Sequence, residues 1–392
     1  VIDGVTELDK LADHNICLPM LVFDAEPSSL SERCRLWDEL PRQGWSGVIE
    51  STTSNDVATI LYTSGTTGEP KGVVLSHDNL LSNVMGTLQS LGQREDDVRL
   101  GFLPLSHIFA RTCDLYTWIA AGSQLALAES RDTVLSDCKT IRPQILNGVP
   151  YFFDRVRRYL VESSDGMSEG ALAEILGGKI RFCCSGGAAL PDHVFDFYQA
   201  NGVPLLQGYG LTESSPVISL SSETSFRRGA VGRAIADVEI RIADDGEVLT
   251  RGRHVMREYF KKPAATAEVL RDGWLYTGDL GRLDDDGFLY ITGRKKELIV
   301  TSGGKNIAPV FLESLLTEDP LIAQAVVIGD DEKFLSALIV PDMNALHRAL
   351  DHESDVPLDL QSDEARGLVQ EAISRRLVSV SYYEQVKTFT LT

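Results

Sequence analysis

Positive charge is what this sequence has least of. Thirty-seven lysines and arginines face 57 aspartates and glutamates, a formal net charge of −20. A field of that sign repels nucleic acid and anionic lipid unless a local basic patch overrides it. Nucleic acid is therefore excluded as a partner, and membrane contact is limited to the periphery. A polyanionic ligand would have to be met by backbone amides, a few placed cations and a divalent ion. No C-x-x-C spacing occurs among the six cysteines (Cys17, Cys34, Cys113, Cys138, Cys183 and Cys184), which argues against a thiolate metal site. They read as buried, reduced thiols of a cytoplasmic protein. The uncharged run 115–128 has fourteen residues and contains Gly, Ser and Gln, too short to span a bilayer. No signal peptide, internal repeat or low-complexity tract is visible. The first residue is Val1 rather than methionine, so the natural N-terminus is expected to lie further upstream.

What is present describes an ordinary folded chain. Its 392 residues are 43% hydrophobic and 24% charged, enough for a buried core and for two or three domains. VATILYTSG is a short apolar run entering a glycine-rich turn, and SHDNLLSNVMGTLQSL follows with a Ser cap and helical spacing. VRLGFLPLSH, QLALA, PQILNGVP, IRFCCSGG and PLLQGYG repeat the pattern of an apolar strand ending in a polar or glycine turn. PYFFDRVRRYLVES and PDHVFDFYQANG read as helices between them. Continuous apolar runs of this kind mark buried parallel strands, whose carboxyl ends collect ligands. From about residue 230 apolar and polar residues alternate around acidic-glycine turns, the signature of hairpins. After Arg294, KELIV, IAQAVVIGD and LSALIVP read as strands, and APVFLESLLTE and DEARGLVQEAISRRLVSV as helices. The expected fold is α/β: a large multi-layered domain over 1–294 with a β-rich subdomain at 230–294, and a small α+β domain over 295–392.

The stretch YTSGTTGEPKG (62–72) combines hydroxyls, glycines and a lysine in a segment too loose for a core. It is not a Walker loop, because Lys71 is followed by Gly72 rather than Ser or Thr; a P-loop kinase is thereby discounted. The logic of a phosphate cradle still applies, with glycines admitting backbone N–H groups and the lysine adding a point charge. A hydroxyl-rich surface turn is the structural alternative. Five further segments accompany it in order: PLSHIF (104–109), SGGAALP (185–191), QGYGLTES (207–214), YTGDL (276–280) and GRKKELIVTSGGKNIAP (293–309). Together the six resemble the motifs of the adenylate-forming superfamily, which includes acyl-CoA synthetases, luciferases and peptide-synthetase adenylation domains.

The resemblance implies a role for each segment. Thr63, Ser64, Gly65, Thr66, Thr67, Gly68 and Lys71 would surround the β- and γ-phosphates of ATP. Gly186, Gly187 and Ala188 would let backbone approach the base, and Tyr209, between Gly208 and Gly210, would offer an aromatic face to adenine rather than serve as a core tyrosine. Thr212 would donate to the α-phosphate or the substrate carboxylate, and Glu213 would hold Mg²⁺. Asp279 would accept from both ribose hydroxyls, its alternative being a turn or cap aspartate. Arg294 would hold the ribose or phosphate region. Lys296 falls at the family's hinge, while Gly303 and Gly304 belong to the loop that approaches the CoA side. His107 would stand beside the reacting carboxylate, though a lone His is often structural. Lys71, Thr212, Glu213 and His107 form the catalytic set.

The implied chemistry is adenylation of a carboxylic acid by ATP, then transfer to coenzyme A. Segments such as LPLSHIFARTCDLYTWIAAGSQLALAES resemble long-chain fatty acyl-CoA synthetases most. Two departures accompany this likeness. Family members carry a longer stretch before the phosphate loop, and they continue past a segment like YEQVKTFTL to a lysine used in adenylation. Lys387 lies before that point and is expected to be a strand-edge lysine. The competing expectations are a nucleotide-binding fragment or pseudoenzyme with impaired adenylation, and a ligase for another carboxylic acid.

Overall fold

The computed structural model describes residues 20–22, 34–36, 52–63, 69–162, 168, 170–351 and 358–392. Ser64, Gly65, Thr66, Thr67 and Gly68 of the expected phosphate loop, and Cys17, lie outside them. The chain forms two compact units, Val1–Thr52 and Thr53–Thr392. In the first, strand Met20–Val22 pairs in parallel with Cys34–Leu36.

A seven-stranded sheet organises the second unit. Its order is Arg233–Ala234, Val217–Leu220, Leu205–Gly210, Phe182–Ser185, Ile145–Gly148, Val98–Gly101 and Gln124–Leu127. The last five run parallel, and Val217–Leu220 is antiparallel to Leu205–Gly210. The strands that follow Val98–Gly101 go to opposite sides of it, Gln124–Leu127 to one and Ile145–Gly148 to the other. Such a reversal opens a crevice at the carboxyl ends of the strands. Helices cover the sheet as the apolar runs require. Phe153 of helix Pro150–Glu162, Leu172 of Ala171–Ile175 and Tyr198 of Asp192–Ala200 pack with Leu146, Cys183 and Leu205 in one fully buried cluster. On the opposite face, Leu91 of helix His77–Leu91 packs with Cys113, Cys184, Leu206, Val217 and Leu220. Cys183 and Cys184 thus serve opposite faces, as strand alternation demands. With Cys113 and Cys138 they are buried free thiols whose pKa burial drives upward.

One reading is corrected. VATILYTSG does not enter the parallel sheet. Strand Val57–Thr63 pairs antiparallel with Lys71–Ser76, a strand hidden in the tail of the glycine-rich segment, and Glu258–Tyr259 adds a third strand. Thr63 and Lys71 are register partners at the end of this antiparallel pair. Ser76 then caps helix His77–Leu91 through a reciprocal pair with Asn79, at 3.2 and 2.8 Å. The Asn79 amide reaches on to the carbonyls of Arg253 and Val255, tying the helix to the β-rich region.

That region is a five-stranded antiparallel sheet containing Val238–Ile242, Glu247–Gly252, Trp274–Leu283 and Leu289–Arg294. Beyond it, strands Ile322–Ile328, Leu335–Pro341 and Val386–Leu391 carry helices Pro309–Thr317 and Asp363–Arg376. Leu312, Leu316, Ile339, Val369 and Ile373 form the core of this part. Lys387 lies exposed on its strand Val386–Leu391. No helix among the described residues is long and apolar enough to cross a membrane.

Candidate active site

A cavity of about 1120 Å³ opens at the carboxyl ends of the parallel strands. Four of the five parallel strands deliver their terminal turns to the wall: Phe102 to Pro104 after Val98–Gly101, Val149 after Ile145–Gly148, Gly186 and Gly187 after Phe182–Ser185, and Leu211 to Glu213 after Leu205–Gly210. Thr63 and Lys71 enter from the antiparallel hairpin, and Arg294 and Lys296 from the far end of the β-rich sheet. Segments as far apart in the chain as Thr63 and Lys296 therefore share one wall. The local charge also reverses. Lys71, Arg131, Arg155, Arg271, Arg294, Lys295 and Lys296 line the cavity against Glu213, Glu247 and Glu268, in a chain whose net charge is −20.

Two clusters organise the polar side. In the first, the Tyr259 hydroxyl donates to Glu213 Oε1 at 2.6 Å, and Lys71 Nζ sits 5.0 Å from the centre of the same ring. Tyr259 is Val73's partner across the sheet, two residues from Lys71. Glu213 lies in the 3₁₀ turn Thr212–Ser214, fixed by the Met256 N–H on its own carbonyl at 2.8 Å. Burial, then the Glu213 carboxylate, pushes the Tyr259 phenol above its ordinary pKa, so it remains a donor. Sequence reasoning gave Tyr259 no role, although it lies in the segment GRHVMREYFKKPAATAEVLRDGWLYTGDLG that resembles long-chain synthetases.

In the second cluster, the Tyr209 hydroxyl donates to Asp279 Oδ2 at 2.7 Å and Arg294 Nε to Asp279 Oδ1 at 2.7 Å. Asp279 and Arg294 are cross-strand partners. Asp279 is only 4% exposed and does not line the cavity; both its oxygens already serve Tyr209 and Arg294. In this arrangement it supports two wall residues instead of facing the cavity itself. Burial and the same carboxylate raise the Tyr209 phenol well above its ordinary pKa.

The remaining candidates divide in two. His107, Gly186, Gly187, Gly208, Gly210, Thr212 and Lys296 line the cavity, whereas Ala188, Gly303 and Gly304 do not. Gly303 and Gly304 lie in the turn between the short strands Ile299–Val300 and Asn306–Ile307. Two glycines have steric reasons for their identity. A Cβ on Gly210 would stand 1.8 Å from the Pro216 carbonyl oxygen, and one on Gly186 would press the Phe109 ring at 3.2 Å. Beside Lys296, Lys295 is held by Asp245 at 2.6 Å and Glu247 at 3.0 Å.

Mg²⁺ is tested by its donor set. No group of three or more His, Cys, Asp or Glu that could hold a metal exists among the described residues. Of the three carboxylates that line the cavity, Glu247 is paired with Lys295, whereas Glu213 has only Oε1 occupied, by Tyr259, leaving Oε2 to coordinate. Mg²⁺ characteristically takes one or two protein carboxylates and completes its shell with phosphate oxygens and water. The residues present fit that pattern.

Residues 5–260 match the AMP-binding enzyme family, and residues 296–372 its C-terminal domain. The chain belongs to the AMP-binding enzyme family. The long-chain-fatty-acid--CoA ligase FadD15 of Mycobacterium bovis is 34% identical over 395 aligned positions, covering 88% of this chain and 65% of that protein. The chain thus spans just under two thirds of that relative's length. Among solved structures, o-succinylbenzoate coenzyme A synthetase from Bacillus subtilis in complex with ATP and magnesium ion superposes with a TM-score of 0.73 at 26% identity, covering 98% of this chain and 77% of that one. The same synthetase with an acyl-adenylate intermediate gives 0.74 at 26% identity, covering 98% and 76%. The α/β fold with its C-terminal part is that of the adenylate-forming enzymes.

Proposed function

We propose that this chain carries the catalytic core of an ATP-dependent ligase that joins a fatty acid to coenzyme A through an acyl-adenylate, releasing AMP and pyrophosphate. One observation carries this reading: Lys71, His107, Gly186, Tyr209, Glu213 and Lys296, drawn from five distant segments, line a single cavity. The long-chain preference rests on the likeness to fatty-acid ligases.

In the first step a carboxylate oxygen forms a bond to the α-phosphorus of ATP while the bond to pyrophosphate breaks. Two anions must approach, so the site has to neutralise charge before it can orient it. Lys71 supplies a fixed cation beside the hairpin loop, and Thr212 a hydroxyl donor. Mg²⁺, when bound, would neutralise phosphate charge; Glu213 would hold it, and the Tyr259 hydroxyl keeps that carboxylate oriented. Tyr209, anchored by Asp279, presents its ring to the base. Arg294 brings a second fixed cation from the sheet edge, and His107 stands where the acid's carboxylate would lie. In the second step the thiolate of coenzyme A attacks the acyl carbon and AMP leaves. Lys296, with Gly303 and Gly304 beyond it, would act as the hinge and the CoA-side loop of a domain rotation between steps.

The test is fatty-acid-dependent exchange of labelled pyrophosphate into ATP, followed by acyl-CoA formation across an acid panel. Exchange with C12–C18 acids is the expected result. ATP binding without exchange would favour a nucleotide-binding fragment, and reaction only with short or aromatic acids would reject the fatty-acid assignment.

A further inference from the structure

Strand Trp274–Leu283 is interrupted where it reaches the cavity. Its pairing with Glu247–Gly252 runs from Leu249 with Tyr276 to Glu247 with Leu280, so Val248 alone opposes Thr277, Gly278 and Asp279. A bulge of this kind re-aims side chains beside a site. Here Thr277 and Gly278 line the cavity, while Asp279 lies behind the wall and bonds Tyr209 and Arg294. Two bonds to the opposing strand hold the bulge. The Thr277 hydroxyl donates to the Val248 carbonyl at 2.7 Å, and the Gly278 N–H donates to Glu247 Oε1 at 2.9 Å. Gly278 has a φ of +74°, which glycine alone adopts without cost.

The second oxygen of Glu247 is engaged as well. Lys295 Nζ donates to Oε2 at 3.0 Å, and Lys295 stands between Arg294 and Lys296 in the chain. The other partner of Lys295, Asp245, is half exposed and contributes little; Glu247 is only 6% exposed. The contacts close a ring: Glu247 to Gly278, Gly278 through Asp279 to Arg294, and Arg294 through Lys295 back to Glu247. One half of the ring sets a wall of the proposed nucleotide site. The other half adjoins the proposed hinge.

We propose that Glu247 is a positioning residue of the ligase reaction, which couples the grip on the nucleotide to the position of the small domain. Through Gly278 it fixes the bulge that carries Asp279, and through Lys295 it holds the segment that enters the hinge. The Lys295 bond would have to open for Lys296 to turn, whereas the Gly278 bond would persist. This inference rests on the ligase reading and adds how its two steps are linked.

The experiment separates the two bonds. Glu247→Gln keeps an oxygen for the Gly278 N–H but loses the charge that holds Lys295; Glu247→Leu loses both. ATP affinity is measured by calorimetry, amide hydrogen exchange over 276–280 and 293–298 by mass spectrometry, and thioester formation against pyrophosphate exchange by assay. Glu247→Leu should weaken ATP binding about tenfold or more and speed hydrogen exchange in both segments. Glu247→Gln should leave ATP affinity within about twofold, because the bond to the bulge survives, and speed hydrogen exchange over 293–298 alone. It should also shift the ratio of thioester formation to pyrophosphate exchange by the same factor as Lys295→Ala, and the double variant should shift it no further. The inference is overturned if the two Glu247 variants bind ATP alike, if 293–298 stays protected in both, if the effects of Glu247→Gln and Lys295→Ala multiply, or if the unaltered protein binds no ATP. Affinities and hydrogen exchange as expected, in a protein without pyrophosphate exchange, support the coupling and count against the ligase reading alone.

Discussion

Tyr259→Phe removes one oxygen atom and isolates the link between the hairpin and the 3₁₀ turn. The ring stays where Leu61, Val73, Leu75 and Met256 pack around it, so the packing part of the stability should change by less than about 1 kcal/mol. The Lys71 contact with the ring face is also retained. What disappears is the 2.6 Å hydrogen bond to the Glu213 carboxylate. Bonds to charged groups contribute roughly 1.5–3 kcal/mol, and each 1.4 kcal/mol is about a factor of ten in rate. If Glu213 works only when held, kcat/KM for adenylation should fall about 10- to 100-fold, and the Mg²⁺ concentration for half-maximal exchange should rise several-fold. Pyrophosphate exchange titrated with Mg²⁺ reads both, with Glu213→Gln as the reference for complete loss. An unaltered Mg²⁺ titration in Tyr259→Phe beside an inactive Glu213→Gln would refute the reasoning, because Glu213 would then need no support from the hairpin.

Gly210→Ala sets a methyl against the Pro216 carbonyl; it should cost about 1–3 kcal/mol in denaturant unfolding through overpacking and displace the Thr212–Ser214 turn, lowering exchange beyond the stability loss. Lys295→Ala releases Asp245 and Glu247 next to the proposed hinge; because this lysine is half exposed, the ratio of thioester formation to pyrophosphate exchange should move only roughly two- to fivefold. Burial pushes Asp114 up to about 6 and His254 down to about 4. Between about pH 4 and 6 the native state holds the Asp114 proton that the unfolded chain gives up, so this group adds stability as pH falls. Over about 6.5 to 4 the unfolded chain takes up a His254 proton that the native state refuses, so this group removes stability as pH falls. Each contribution is on the order of 3 kcal/mol and they oppose one another. Asp114→Asn should therefore expose a stability that declines steadily from pH 6.5 to 4 in chemical denaturation; a pH slope unchanged from the parent would refute it.

The inner parallel strands were legible because they are buried on both faces and read as largely apolar runs, unlike the edge strand Gln124–Leu127. Leu205–Gly210 and Phe182–Ser185 needed no tertiary information. Lys71–Ser76 was not legible for the opposite reason: its first residues belong to the glycine-rich segment, and only the antiparallel return to Val57–Thr63 makes them a strand. Residue positions at the cavity followed from motif order, but their partners did not. Asp279 reads as a carboxylate for a sugar, yet cross-strand pairing delivers Arg294 to it and the end of the parallel sheet delivers Tyr209. Tyr259 carried no signal of its own: it sits in the mixed stretch HVMREYFKK, and only the third strand of the hairpin sheet brings it to Glu213. Arg99 and Asp114 did carry one: a lone cation in VRLG and a lone anion fifteen residues on, each interrupting an apolar run. Both are 1% exposed, 3.7 Å apart, with Asn147 and Thr117 completing the cluster.

That buried pair bears on how the cavity keeps its shape. Replacing an ion pair with apolar residues is often neutral, whereas removing one partner costs about 3–5 kcal/mol, so such a pair constrains geometry more than it adds stability. Arg99 donates to the Cys113 carbonyl, and Asn147 donates to the same carbonyl and to Asp114. The polar cluster therefore fixes Cys113 and Asn147, two members of the cavity wall, from behind. On the other side, Asp279 fixes Tyr209 and Arg294 from behind in the same manner. In both places a nearly inaccessible carboxylate sets the position of residues that do face the cavity. An acidic chain can in this way line a cavity with seven cations against three carboxylates: the carboxylates behind the wall are spent on internal partners.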